Sequence, residues 1–165
     1  MKKESSSKVF FQSLEENEIA EVISFADVII TTQNELLFRR GDESDGFYII
    51  SNGRLEIFSH EKGEEVRLGI IKAGSIVGEI GFLDSQERTA SARAITDVVS
   101  LKISLDIFTK LEEANIKLAI KVMQEIQSIL AERLRQSDKL LVDYQTVKVD
   151  DTLLQKLNKP LRQTI

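Results

Sequence analysis

Residues 78–94 read GEIGFLDSQERTASARA, the order of groups expected of a cradle for a small ligand that is anionic at one end and hydroxylated at the other. Gly78 lets a ligand approach the backbone closely. The short apolar turn after it aims backbone N–H groups at an anion. Glu79, when ionised, only accepts hydrogen bonds, which suits a sugar hydroxyl. Arg88 offers a planar fork of donors to a phosphate, with the Thr89 hydroxyl beside it. Each group alone has a blander role: Glu79 complementing a helix N-terminus, or Arg88 pairing with Glu87 or Asp84 at the surface. Glu79 and Arg88 together, in this order, favour a ligand.

The stretch sits inside a span, residues 27–104, of short β-rich runs: VIITT, ELLFR, GFYIIS, GRLEIFS, EVRLGII, SIVG, TASARAI and VVSLKIS. The turns between them carry Gly41-Asp42, Asp45-Gly46, Asn52-Gly53, Lys62-Gly63 and Ala73-Gly74. Asn52-Gly53 predicts a two-residue hairpin turn. About eight short strands at this spacing predict a sandwich or jelly-roll barrel. Ahead of them, residues 13–25 predict a short amphipathic helix with Ser13 and Glu16 as a capping box.

After Ser104 the period becomes helical. Residues 105–113 make a short helix and residues 115–144 a long one, free of Gly and Pro and on the order of 40 Å long at 1.5 Å per residue. Ile116, Met123, Leu130, Ser137 and Tyr144 recur every seven, with Ala119, Ile126, Arg133 and Leu140 as the companion row, which predicts a coiled-coil seam. A helix that outruns so small a barrel predicts a homodimer; packing on its own barrel is the alternative. Residues 145–165 read as a short polar tail with a short helix around 153–157, stopped by Pro160.

Composition narrows the function classes. A net charge of -5 and a pI near 5.1 argue against non-specific nucleic-acid binding, which needs a basic face. There is no cysteine, which excludes disulfides, thiolate zinc sites and iron–sulfur ligation; a cytoplasmic setting is compatible with this. No apolar run approaches the roughly 20 residues that span a bilayer. The opening MKKESSSK has no apolar core behind its lysines and reads as a frayed tail rather than a signal peptide. His60 is the one histidine, and no nucleophile-elbow pattern or calcium-loop run accompanies it. No enzyme chemistry, metal or cofactor is expected.

With barrel, cradle and long helix in this order, the chain resembles the cyclic nucleotide-binding domain family, which includes the bacterial catabolite activator protein and the regulatory subunits of cyclic-nucleotide-dependent kinases. The resemblance runs over residues 10–144. It rests on Gly41-Asp42-Glu43-Ser44-Asp45-Gly46-Phe47-Tyr48-Ile49-Ile50, Gly53, Gly74, Gly78-Glu79-Ile80-Gly81 and Arg88-Thr89-Ala90-Ser91, specific together though weak singly. It implies a mainly β fold with flanking helices: an eight-stranded jelly-roll β-barrel (double-stranded β-helix), a short N-terminal helix, a phosphate-binding cassette and a long C-terminal dimerisation helix. Residues 10–144 are then one domain, and residues 145–165 a tail too short for a DNA-binding domain.

Carried over by residue, the resemblance places Glu79 on the ribose 2′-hydroxyl and Arg88 on the cyclic phosphate. Thr89 stands where a hydroxyl touches phosphate or base, and Gly78, Ile80, Gly81 and Ala90 line the sugar-phosphate. Ala73 and Val77 depart from the residues many members carry there, without removing a ligand group. Arg133, a charge on a seam, is expected either to cover the nucleobase from one or both subunits or to run along the seam to water. The implied function is a cytoplasmic bacterial sensor of a 3′,5′-cyclic nucleotide, cyclic AMP favoured over cyclic GMP. It would signal by repositioning its C-terminal helices, through a dimer or an effector protein in trans, with no nucleic-acid or membrane partner. The alternative is a ligand-free dimerisation scaffold on the same fold.

Overall fold

The computed structural model describes residues 10–157, with side chains described as far as Gln145. After helix α1 (Glu16–Phe25) come the strands β1 (Asp27–Thr31), β2 (Leu36–Phe38), β3 (Phe47–Asn52), β4 (Arg54–Glu61), β5 (Glu64–Lys72) and β6 (Ile76–Val77). A short helix α2 (Glu79–Asp84) interrupts them before β7 (Ser91–Ala94) and β8 (Val98–Ile103). Helices α3 (Leu105–Ala114) and α4 (Ile116–Leu157) follow.

The eight strands match the eight β-rich runs and form two antiparallel sheets, ordered β1-β8-β3-β6 and β2-β7-β4-β5. This is the mainly β jelly roll with flanking helices expected from the runs and the resemblance. Its interior is closed by Tyr48, Ile50, Val77 and Val98 from one sheet against Leu55 and Ala94 from the other, all buried. The alternation of side chains along each strand is what gives both sheets an apolar inner face.

Two local expectations are corrected. Asn52-Gly53 does not close a hairpin, because β3 and β4 belong to different sheets. The chain crosses between sheets there, with Gly53 at φ +88°, and a Cβ on Gly53 would collide with the Asp97 carbonyl oxygen and stand 2.9 Å from Val98 Cα. Close backbone approach, not a hairpin, is the reason for this glycine. The hairpin lies instead at Lys62-Gly63, which joins the paired strands β4 and β5 with φ of 55° and 87°, the left-handed pair that a primed turn needs.

The cap of α1 also sits two residues later than Ser13–Glu16: the Glu18 carboxylate accepts from the Glu15 N–H at 3.0 Å. Ser13 has another use. Its N–H donates to Glu125 Oε1 at 2.8 Å, and its hydroxyl donates to the same oxygen. Glu125 lies on the first turns of α4, where Asn115 Nδ2 also donates to Glu21 at 3.2 Å and Lys121 Nζ meets Glu18 Oε1 at 2.5 Å. These polar ties fasten α1 to the start of α4.

The chain divides into two compact units, one up to Gln127 and one from Ser128 onward, so the division falls within α4. In the first unit α4 buries Leu118, Ala119, Val122 and Ile126. Ala119 and Ile126, expected on the inter-subunit seam, are buried within the single chain, because a helix repeating every 3.6 residues gives one stripe to the unit it belongs to. In the second unit Leu134, Leu140, Leu141 and Tyr144 are all exposed by more than half within the single chain. The helix also runs past Tyr144 to Leu157, through the segment expected to be a polar tail; no Gly or Pro stands before Pro160 to stop it. The expected break at Pro160 and the expected frayed start lie outside the described residues.

Candidate functional site

The site is built where β6 runs into α2. Gly78 takes a left-handed conformation at the head of α2, φ 80° and ψ 9°, and Glu79, the first residue of the helix, is only 2% exposed. A buried carboxylate is retained only where something offsets its desolvation, so Glu79 is not a solvated surface charge.

Arg88 closes the other end of the cradle, ahead of β7. Its backbone is clipped to the turn after β2: the Gly41 N–H donates to the Arg88 carbonyl at 2.9 Å, and the Arg88 N–H donates to the Asp42 carbonyl at 2.8 Å. Its side chain turns inward, 3% exposed as a residue. Nη1 donates to the Gly78 carbonyl at 2.7 Å and Nη2 to Asp45 Oδ1 at 2.6 Å. The guanidinium carbon lies 4.5 Å from the centre of the Phe38 ring and 5.6 Å from that of Tyr48. Gly78 is glycine for the same reason: a Cβ there would collide with Arg88 Nη1 and stand 3.1 Å from Cζ.

Asp45 organises the charge. Besides Arg88 it takes Lys102 Nζ on Oδ2 at 2.6 Å, and the Tyr48 hydroxyl donates to its two oxygens at 3.0 and 3.1 Å. Desolvation pushes its carboxyl up, but the hydrogen bond and charge of Lys102, with Tyr48 and Arg88, outweigh this and hold it below the usual carboxylate value. Tyr48 is pushed well above its ordinary range, by desolvation first and by the Asp45 charge second. It therefore stays a neutral donor at any physiological pH.

The structure brings Gly78 and Arg88 into contact, with Glu79 buried beside Gly78. Gly81 is buried on α2, Ala90 is half-buried, and Ile80 and Thr89 are exposed. Arg133 is half-buried on α4, in the second compact unit. The blander alternative for Arg88, a surface pair with Glu87 or Asp84, does not hold; its partner is Asp45, 43 residues earlier. Sequence reasoning missed Asp45, Phe38, Tyr48 and Lys102 as members of the site. Asp45 and Tyr48 stand inside the quoted run from Gly41 to Ile50, so an acid two residues before an aromatic strand was the available signal for them.

The donor set fits an anion. An arginine carries five N–H donors. Two of those on Arg88 are engaged, and Nε is buried without a hydrogen-bond partner. A buried unpartnered donor on a cation, next to bare glycine backbone and a buried carboxylate, suits a ligand with a phosphate and a neighbouring hydroxyl. Among the described residues no group of three or more His, Cys, Asp or Glu stands together to hold a metal ion, and no helix is long and apolar enough to cross a membrane.

Residues 31–115 match the family profile described as "Cyclic nucleotide-binding domain". Over 129 residues, 78% of the chain, the sequence is 29% identical to the "Cyclic AMP receptor protein" of Thermus thermophilus. Over 99 residues, 60% of the chain, it is 34% identical to the "cAMP-dependent protein kinase regulatory subunit" of Emericella nidulans. The chain spans 58% of the length of the first relative and 24% of the second. Among solved structures, the Thermus thermophilus catabolite activator protein superposes with a TM-score of 0.72 at 28% identity, covering 82% of this chain and 62% of that one.

Proposed function

The chain belongs to the cyclic nucleotide-binding domain family, and from this premise we propose that it is a non-catalytic sensor of a 3′,5′-cyclic nucleotide, cyclic AMP in preference to cyclic GMP. The observation that carries the proposal is Arg88, an interior cation with an unpartnered Nε held against the bare backbone of Gly78. In this reading Arg88 takes the cyclic phosphate and Glu79 the ribose 2′-hydroxyl. Gly78, Ile80, Gly81, Thr89 and Ala90 line the sugar-phosphate. The two relatives, a cyclic AMP receptor protein and a cAMP-dependent protein kinase regulatory subunit, support the choice of nucleotide.

Signalling follows from what the cradle touches. Phe82 of α2 meets Phe47 of β3 edge-on at 5.0 Å and Phe108 of α3 at 5.5 Å. Packed interiors have few voids to absorb a shift, so movement of α2 on a ligand is felt by α3 and then by α4, which follows it directly in the chain. The exposed apolar residues of α4 beyond Ser128 support output through a homodimer, or through an effector in trans. A ligand achieves this only by binding one arrangement better than the other.

A second reading has its own support. Arg88 is already neutralised by Asp45 and covered by Phe38, as in a ligand-free scaffold that only dimerises. Thermal denaturation with each nucleotide separates the two. A ligand at about 100 times its Kd stabilises the native state by about 2.7 kcal/mol, which at about 2–4 °C per kcal/mol raises Tm by roughly 5–11 °C. No rise with either nucleotide at millimolar concentration would leave the scaffold.

A further inference from the structure

Two hydrogen bonds do not fix a guanidinium. The bonds from Nη1 to Gly78 and from Nη2 to Asp45 hold the two terminal nitrogens. Within the slack of those two bonds the group can still tilt by a small angle, which changes the direction in which Nε and the remaining donors point. A contact on the face of the group limits that tilt. The Phe38 ring supplies it at 4.5 Å, and Tyr48, whose ring centre is 6.0 Å from that of Phe38, supplies a second at 5.6 Å.

Phe38 is suited to this by its place in the chain. It ends β2, and the residues just after it, Gly41 and Asp42, are those that clip the Arg88 backbone. Ring and clip are therefore carried by one short segment of chain fastened to Arg88. An aliphatic side chain would fill the same volume, but it has no quadrupole to hold a cation over its face. Tyr48 is occupied by Asp45 through its hydroxyl, which leaves Phe38 as the ring with no other polar duty.

We propose that Phe38 is a positioning residue for the anion site: it sets the plane of the Arg88 guanidinium so that the donors left over face the phosphate. This rests on the cyclic-nucleotide reading above, and the experiment keeps the two apart. Calorimetric titration with cyclic AMP and with cyclic GMP is run on the full chain and on Phe38→Leu, Phe38→Tyr and Ile57→Val, each with its melting temperature. Ile57 packs on the same core cluster and is a control for lost packing. Removing the cation–ring contact weakens nucleotide binding by about 3- to 30-fold in Phe38→Leu. Phe38→Tyr keeps the ring and stays within about twofold of the natural protein. Ile57→Val lowers Tm with affinity unchanged. Should Phe38→Leu not fold, Phe38→Met takes its place.

The proposal is overturned if the natural protein binds a nucleotide and Phe38→Leu binds it equally well, or if Phe38→Tyr loses as much as Phe38→Leu. Absence of binding by the natural protein would remove the cyclic-nucleotide reading itself, and this inference with it.

Discussion

Replacing Gly78 by alanine tests the cradle where its geometry is tightest. The substitution adds one methyl group and has two separable effects. First, Gly78 sits at φ +80°, where a side chain costs about 1–2 kcal/mol. Second, the new Cβ would collide with Arg88 Nη1, and the guanidinium has little room to retreat because Asp45 holds Nη2 at 2.6 Å and Phe38 covers its face. Losing the hydrogen bond to the Gly78 carbonyl, a bond made by a buried cation, costs about 1.5–3 kcal/mol. The sum is roughly 2.5–5 kcal/mol, or a Tm lower by roughly 5–20 °C. Gly63 is the matched control: it has φ +87°, with nothing within 4 Å of a Cβ. Gly63→Ala therefore carries only the first effect, about 1–2 kcal/mol, and leaves nucleotide affinity alone. Thermal denaturation followed by circular dichroism, with calorimetric titration of each variant, reads both quantities. Equal losses of Tm in the two variants, with nucleotide affinity intact in Gly78→Ala, would refute the packing of Arg88 on Gly78.

Asp45→Asn leaves the interior Arg88 without its counter-charge; because Asp45 is itself half-exposed, we expect a loss of about 1–3 kcal/mol, less than for a fully buried pair. The folded carboxyl titrates below its ordinary value, so the stability it contributes is present above about pH 4 and disappears as pH falls through the folded pKa. Urea denaturation should show the gap between natural protein and variant constant near neutrality and closing below about pH 4; a gap independent of pH down to about 3 would contradict this. For Glu79, the natural protein should prefer cyclic AMP over its 2′-deoxy analogue by roughly 10- to 150-fold, and Glu79→Gln should erase most of that preference. A preference that survives the substitution assigns the hydroxyl to another group. Arg133→Ala should weaken nucleotide binding measured by calorimetry if the residue covers the base, and unchanged affinity removes that role.

The strands were legible because their signals are local. Alternating apolar runs and glycine-bearing turns locate each of the eight, though not its exact ends. Partnership between strands is not local: Asn52-Gly53 has the composition of a hairpin turn, yet the chain crosses there to the other sheet, since the approach of Gly53 to Asp97 and Val98 is decided by residues over forty positions away. The same limit applied at the site. Gly78, Glu79 and Arg88 are close in sequence, and their shared chemistry was readable. Asp45 reaches Arg88, and Lys102 reaches Asp45, only once β3 and β8 lie side by side. In α4, one sequence period serves two surfaces. Ala119 and Ile126 satisfy a seven-residue seam and a 3.6-residue stripe about equally over so short a stretch, and burial in their own unit decided between them.

The central claim is that the interior Arg88 holds the phosphate of a cyclic nucleotide. Isothermal titration calorimetry of the natural protein and of Arg88→Gln with cyclic AMP tests it most directly. The account predicts saturable binding by the natural protein at one nucleotide per chain, weakened at least about 30-fold in a variant that remains folded, the loss expected when charge-assisted hydrogen bonds to phosphate are removed. Equal binding by the natural protein and a folded Arg88→Gln would contradict it.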